Sequence, residues 1–478
     1  MHTPFFPAWR GRLGPMGRRV GQLRQHSLLQ LDQLFGRFLP AGLRAQTEEG
    51  SNSRERVFTV RRTFFAFLYQ VLNPECACRE VVRQMQALFA LHGGRRVDEA
   101  TGGYCQARAR LPWDILPRLR GAAAAQAEKN RQLWRGLWVK IVDGTSTSLP
   151  DTEVNQRAYP QPGGQKPGCG FPLLKLVGVF SWSTGVILDY VKGNKHQHEL
   201  GLLRKLLPLF KPGDLVLADR GFSSYTLMAL LLQQGVPSLF RLHQARPADL
   251  RRGRRLGKKD RLWVWDKPAQ RPRYLPQSLW QSIPEQLSVR VVRFSLHVPG
   301  FRVQSVTLVT TLLDPKQYPA EELAFLYAHR WRIELWFRDL KTSMGLEVLR
   351  CQSPKMVHKE LEMFLIAYNL IRCLMAEAGA QQGMPLDTLS FKGTVDAVRQ
   401  FAAAIAQARS VKKQKQLWDK LLEAIARDQL PERSGRSEPR AVKRRPKRYA
   451  LLNRPRRSFK EIPHRNRHWK NHPRKSHA

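Results

Sequence analysis

The chain has 478 residues, and its 81 Lys and Arg outnumber 38 Asp and Glu to give a formal net charge of +43 and a pI of about 11.0. That excess is far beyond what solubility needs and points to a polyanionic partner, nucleic acid before any other. No run of about 18 apolar residues argues for a membrane span, and the six cysteines form neither a C-x-x-C motif nor a pairing ladder, as expected of a reduced cytoplasmic chain.

Residues 1–25 carry Arg and Gly without the apolar segment of a signal peptide, and read as a flexible basic N-terminus. Apolar residues recur at helical spacing over 26–40 and 56–92, as at Val81, Met85, Leu88 and Phe89, with Gly93 and Gly94 as a stop. The spacing predicts a helical domain over 26–130. From Gly136 to Val142 an apolar, β-branched run predicts a buried strand that ends in Asp143, and the polar turn from Gly144 to Ser148 leaves the carboxylate at its exposed tip. Phe171–Phe180 and Val186–Val191 alternate in strand fashion about Ser183-Thr184-Gly185, a hairpin signal. A helix is expected over roughly Glu199 to Leu209, and then a second apolar strand from Gly213 ends in Asp219, followed by Arg220 and Gly221.

Two clusters raise the question of zinc: His196, His198 and Glu199 in one, Cys76 and Cys78 in the other. Zinc sites take four ligands from paired clusters, and neither has an obvious second half. His198 and Glu199 are better placed at the mouth of the helix before the Asp219 strand, near the strand-end aspartates or as caps.

About 115 residues separate Asp219 from Glu334, far more than an ordinary loop. Strand-like runs at Arg261–Trp265, Leu287–Leu296 and Phe301–Leu313 predict a mostly β insertion over about 240–315, with a basic run from Arg251 to Lys259. Trp263 and Trp265 are candidates for stacking on an unpaired base, against the plainer reading that they pack a small sheet.

The next segment is the most specific. Tyr327, Arg330, Glu334 and Lys341 follow the pattern Y-x(2)-R-x(3)-E-x(6)-K, and on one continuous helix i, i+3, i+7 and i+14 share a stripe. One carboxylate then lies among two cations and an aromatic. The plain alternative is a solvated face with weak ion pairs. Trp331, Leu335, Trp336, Phe337 and Leu340 crowd the stripe and argue for a helix packed in a core.

These motifs, Val142-Asp143-Gly144-Thr145, Leu217-Ala218-Asp219-Arg220-Gly221-Phe222 and the Tyr327/Arg330/Glu334/Lys341 helix, resemble those of the DDE transposases of the insertion-sequence-four (IS-four) family. The likeness spans roughly residues 55–430. Tyr104–Leu111 is similar to the family's N-terminal region, and Ala367–Arg372 to the helix after the catalytic glutamate. The resemblance implies an RNase H-like α/β catalytic domain over 131–430, interrupted by the β insertion and preceded by a helical DNA-binding domain. Asp143, Asp219 and Glu334 would be the catalytic metal ligands. Tyr327, Arg330 and Lys341 would hold terminal DNA phosphates, with Arg220 a further DNA-binding candidate or a structural partner for a carboxylate. Two Mg2+ ions are the expected cofactor, from oxygen-only ligands, with Mn2+ a plausible substitute. The implied partners are double-stranded DNA, at the element's terminal inverted repeats and at the target, and a second copy of the chain in a homodimer on DNA. The setting would be a bacterial cytoplasm, in association with the nucleoid.

Helices are expected over Lys355–Ala378, Asp396–Ala408 and Lys412–Asp428. Residues 431–478 hold 17 Lys and Arg against 3 Glu, broken by prolines, and read as a basic disordered tail that neutralises phosphates without reading sequence. Two other functions fit the same features: a catalytically inactive nucleic-acid-binding relative, and an RNase H-like nuclease that cuts without joining.

Overall fold

The computed structural model describes Phe35 and residues 57–91, 96–246, 249–295, 305–408, 410–431, 452 and 454–459. Residues 1–25, the helix expected over 26–40 apart from Phe35, and all but a few positions of the tail lie outside these.

Four helices open the described chain: α1 (Val60–Leu72), α2 (Cys78–Leu91), α3 (Gly102–Arg110) and α4 (Ile115–Ala127). The pattern over 56–92 thus yields two helices. Asn73 precedes Pro74 and is driven extended, with φ −109° and ψ 96°, and Glu75 then turns through φ 73°.

A nine-stranded sheet follows, made of β1 (Trp138–Ser148), β2 (Leu173–Ser181), β3 (Ile187–Gly193), β4 (Asp214–Ala218), β5 (Ser238–Arg241), β6 (Arg254–Gly257), β7 (Asp260–Asp266), β8 (Gln286–Ser295) and β9 (Ser305–Thr310). Between these strands lie α5 (Glu153–Ala158), α6 (Glu199–Leu203), α7 (Tyr225–Gln233) and α8 (Gln277–Ser282). The spatial order is β3-β2-β1-β4-β5-β9-β8-β7-β6. β1, β2 and β3 form an antiparallel meander, while β4 and β5 run parallel to β1. β9 then pairs antiparallel with β5, so the insertion's strands continue the main sheet instead of forming a small sheet of their own.

Three expectations change in detail. β1 does not stop at Asp143: its antiparallel pairing with β2 carries on to Ser148 opposite Leu173, so the polar run 144–148 is strand. The helix from Glu199 is α-helical only to Leu203 and tightens to a 3-10 turn over Arg204–Leu209, where Pro208 has no N–H for an α-helical bond. The stripe helix is also irregular: α9 (Ala320–Ala328), a 3-10 turn (His329–Trp331), α10 (Arg332–Arg338) and a π turn (Asp339–Ser343) follow without interruption.

The chain closes with α11 (Pro354–Gln382), α12 (Phe391–Gln407) and α13 (Val411–Arg427), near the expected positions. By length and composition α11 would cross a membrane, but 83% of its apolar window is buried inside the protein. It is the core helix, because strand alternation sends Val139, Ile141, Leu176 and Leu217 to the sheet face that packs against its Leu361, Leu365 and Tyr368. The other face carries Val142, Val177, Val216 and Ala218 onto Leu202, Phe222 and Met228.

The N-terminal helices share the α11 core. Phe64 and Leu68 of α1 and Leu119 and Ala123 of α4 belong to it. Buried Arg120 on α4 donates to Glu362 Oε2 at 3.1 Å, Asp189 Oδ1 at 2.8 Å and the Leu188 carbonyl at 2.8 Å. Lys359 of α11 caps the end of α3 through the carbonyls of Ala109 and Leu111, each at 2.6 Å.

Candidate active site

The parallel ladder between β1 and β4 ends at Val142 opposite Ala218, so Asp143 and Asp219 are the next residues on two adjacent strands. Both follow a residue of the opposite parity, which puts their side chains on the Ile141/Leu217 face, towards α9 and α10. The foot of this ladder is pinned by a buried ion pair, Lys140 Nζ to Asp214 Oδ2 at 2.6 Å, with both side chains under 5% exposed. β5 extends the pattern: Ala218 pairs with Phe240, so Arg241 comes level with Asp219.

The helical segment is held onto the same point from two sides. Phe180 of β2 stacks on Trp336 at 5.6 Å and meets Phe337 edge-on at 5.2 Å. Beyond the π turn the chain returns to the far end of β1, where Ser148 N donates to the Glu347 carbonyl at 3.1 Å and Leu349 N to the Ser148 carbonyl at 3.0 Å. The strand that carries Asp143 therefore also anchors the segment that carries Glu334 and Lys341.

Arg330 joins the carboxylates. Its Nη1 is 3.4 Å from Asp143 Oδ2 and its Nη2 is 3.0 Å from Glu334 Oε1. Burial works against its charge, yet Tyr327, Glu334 and Asp143 hold the guanidinium above its ordinary range. Burial likewise pushes the Asp143 carboxyl up to about 6; the Gly144 N–H and Arg330 oppose the rise, and Asp219 and Glu334 add to it. Asp219 caps the 3-10 turn that follows it, accepting from Gly221 N at 2.8 Å. Tyr327 is buried beside Arg330 and Asp219, and burial drives its phenol above the usual range.

Residues 134–370 match the transposase DDE domain model. Over 402 residues the chain is 27% identical to "Transposase InsG for insertion sequence element IS4" of Escherichia coli (strain K12), a match that takes in 83% of this chain and 88% of that one. The chain is a DDE transposase of the IS4 type. A stretch of 64 residues is 38% identical to the "Transposase for insertion sequence element IS421" of Escherichia coli, 13% of this chain and 17% of that one. The structure also resembles the piggyBac transposase in its synaptic complex with hairpin DNA, at 10% identity and a TM-score of 0.42 over 87% of each chain, a likeness too loose to argue from.

The transposase brings Asp143, Asp219, Glu334, Arg330 and Tyr327 to one place, but not in a closed coordination sphere. Among the described residues no three His, Cys, Asp or Glu are drawn together closely enough to hold a metal ion. The guanidinium of Arg330 lies between two of the three carboxylates. The donor chemistry still suits a hard divalent cation: the donors are carboxylate oxygens, and burial first, with the like charges of Asp219 and Glu334 added to it, raises the proton affinity of Asp143.

Other expected residues fall differently. Arg220 is exposed and donates to Gln244 Oε1 at 3.0 Å. Lys341 sits half-buried in the π turn. Trp265 is 5% exposed in the core of the insertion with the Arg246 guanidinium 4.1 Å over its ring, which leaves no face for a base. Trp263, half-buried, donates its indole N–H to the Arg252 carbonyl at 3.1 Å and crowds Gly253, whose φ is +81°. His198 caps α6, accepting from Leu200 N at 3.3 Å. Glu199 reaches so close to Gly144 that a Cβ there would lie 2.6 Å from its Oε1, so any side chain at 144 would push the end of Glu199 aside. The reading from sequence missed Arg241, whose one signal is a cation at the end of a short apolar strand.

Proposed function

We propose that this transposase catalyses cut-and-paste transposition of an insertion sequence on an RNase H-like core, by metal-dependent strand cleavage followed by strand transfer. The observation that carries the reading is register: Asp143 and Asp219 lie one residue beyond the last β1/β4 pair, and Glu334 is tied to Asp143 through Arg330. The strand order β3-β2-β1-β4-β5, with carboxylates where the parallel ladder gives out, supports the RNase H-like assignment.

Asp143, Asp219 and Glu334 would hold the divalent ions, Mg2+ or in its place Mn2+. Such a pair supplies activation of water or of a 3′-hydroxyl and stabilisation of the leaving oxygen at phosphorus. The chain's own groups do the rest. Tyr327 lies buried beside Arg330, Lys341 offers a point charge and Arg330 a planar fork to backbone phosphates, and Arg220 and Arg241 flank the strand ends. Excision requires two element ends to be held together, so the working form is a homodimer on double-stranded DNA, bound at the terminal inverted repeats and then at the target.

A labelled duplex from the borders of the element, incubated with Mg2+ and a target plasmid, tests the reading. Cleavage followed by joining supports it. Cleavage alone would make the protein a nuclease, and binding without cleavage an inactive relative. Asp143→Asn, Asp219→Asn and Glu334→Gln should each abolish cleavage with DNA binding kept; loss of binding in all three would make the carboxylates structural.

A further inference from the structure

Arg330 has two calls on it. The family pattern makes it a phosphate binder, whereas in the DNA-free protein it is 8% exposed and committed to two carboxylates, at 3.4 Å to Asp143 and 3.0 Å to Glu334. Those are two of the three groups that would hold the divalent ions. A guanidinium and a divalent cation on the same pair of oxygens repel each other, so each must weaken the other's hold.

The backbone around Arg330 is suited to a change of partner. It sits in the 3-10 turn between α9 and α10, and the π turn begins at Asp339, five residues after Glu334 on the same segment. Such departures from α-helical geometry inside a helical run mark places where a short rotation re-aims side chains. Its Nε is buried without a hydrogen-bond partner, so the present seat does not satisfy the whole guanidinium. A phosphodiester offers a bidentate partner of matching geometry.

We propose that Arg330 is an exchangeable counter-ion: it holds Asp143 and Glu334 in the DNA-free protein, and its transfer to a DNA phosphate releases both carboxylates for divalent ions, so that DNA and metal bind cooperatively. The inference rests on the metal-ligand reading above. It adds a function for the arginine beyond phosphate contact, because metal-charged carboxylates are then assembled only where a strand lies ready to be cut. By linkage, DNA must tighten metal binding by the same factor as metal tightens DNA binding.

The test is Mn2+ binding to the full chain, followed by electron paramagnetic resonance, with and without a blunt duplex copied from the DNA bordering the coding region. Wild type should bind Mn2+ weakly alone and roughly 5- to 150-fold more tightly with the duplex, the usual span of such couplings. Arg330→Ala should bind Mn2+ more tightly than wild type without DNA and gain much less from the duplex; phosphate oxygens recruit some Mn2+ in either case, so the difference between the two proteins is the readout. Arg330→Gln, which keeps the bulk, should behave as Arg330→Ala does, and Arg330→Lys should fall between. Equal Mn2+ affinity of wild type and both neutral variants without DNA, or an equal gain from DNA, overturns the exchange while leaving the metal reading intact. Mn2+ binding that Asp143→Asn does not disturb, with or without DNA, overturns the metal reading and the exchange with it.

Discussion

The buried pair Lys140–Asp214 fixes where β1 and β4 begin to pair, and hence which residues emerge level at the other end. Lys140→Met keeps the length of the side chain and removes the charge. Asp214 would keep one bond, from Lys211 N at 2.7 Å, and lose its only buried cation partner at 2.6 Å. With both side chains under 5% exposed, an uncompensated carboxylate of this kind costs about 3–5 kcal/mol. Asp214→Asn added to Lys140→Met removes the stranded charge and keeps an oxygen for Lys211 N. The double variant should therefore recover to within roughly 2 kcal/mol of wild type, the remainder reflecting the lost bond of Lys140 Nζ to the Leu209 carbonyl at 3.2 Å and its lost contact with the Trp138 ring at 4.3 Å. Guanidinium unfolding followed by tryptophan fluorescence measures all three proteins. If Lys140→Met unfolds within about 1 kcal/mol of wild type, or if the double variant is worse than the single, the pair does not hold the ladder in the way argued.

Three further outcomes are expected. Burial and the Lys192 cation lower His358 from 6.5 to about 4, so its neutral form is the folded one: its contribution, on the order of 3 kcal/mol at most, is complete above pH 6.5 and is lost as pH falls towards 4, and urea unfolding at stepped pH should show the stability of His358→Gln falling less steeply than that of wild type over that window. Gly144→Ala should displace only the flexible end of Glu199 and lower cleavage by no more than about threefold, with DNA affinity kept; a loss of tenfold or more would show that the backbone beside Asp143 has shifted instead. Deleting residues 431–478 should weaken binding to unrelated duplexes and flatten the salt dependence of affinity, measured by fluorescence anisotropy at several salt concentrations; an unchanged slope would show that the globular part supplies the phosphate contacts.

The parts of this molecule set by local rules were legible in its residues. Strand alternation marked both aspartate strands and the β2–β3 hairpin, and helical periodicity located α11 to α13 within a few residues. Spacing, read together with the two strand-end aspartates and the family resemblance, singled out Tyr327, Arg330, Glu334 and Lys341. What escaped the sequence was set by tertiary pairing. The polar residues 144–148 look like a turn until β2 is available to pair with them. For Trp263 and Trp265 the residues leave stacking and packing both open, with packing the plainer; only the fold shows Trp265 buried beneath the Arg246 guanidinium and the indole of Trp263 bonded to the Arg252 carbonyl. Most of all, a one-helix stripe hides the 3-10 and π turns, and with them the seat of Arg330 between two carboxylates. Arg241 enters the site only through its register with Asp219, which no motif encodes.

Replacing one proposed ligand oxygen by sulfur tests carboxylate ligation of the metal directly. Asp143→Cys and Asp219→Cys should cleave end-labelled DNA poorly in Mg2+ and regain activity in Mn2+, the softer ion, relative to Asp143→Ala and Asp219→Ala measured alongside. Cysteine variants that remain as inactive as the alanine variants in both metals, or that cleave as well as wild type in Mg2+, would contradict carboxylate ligation at these two positions.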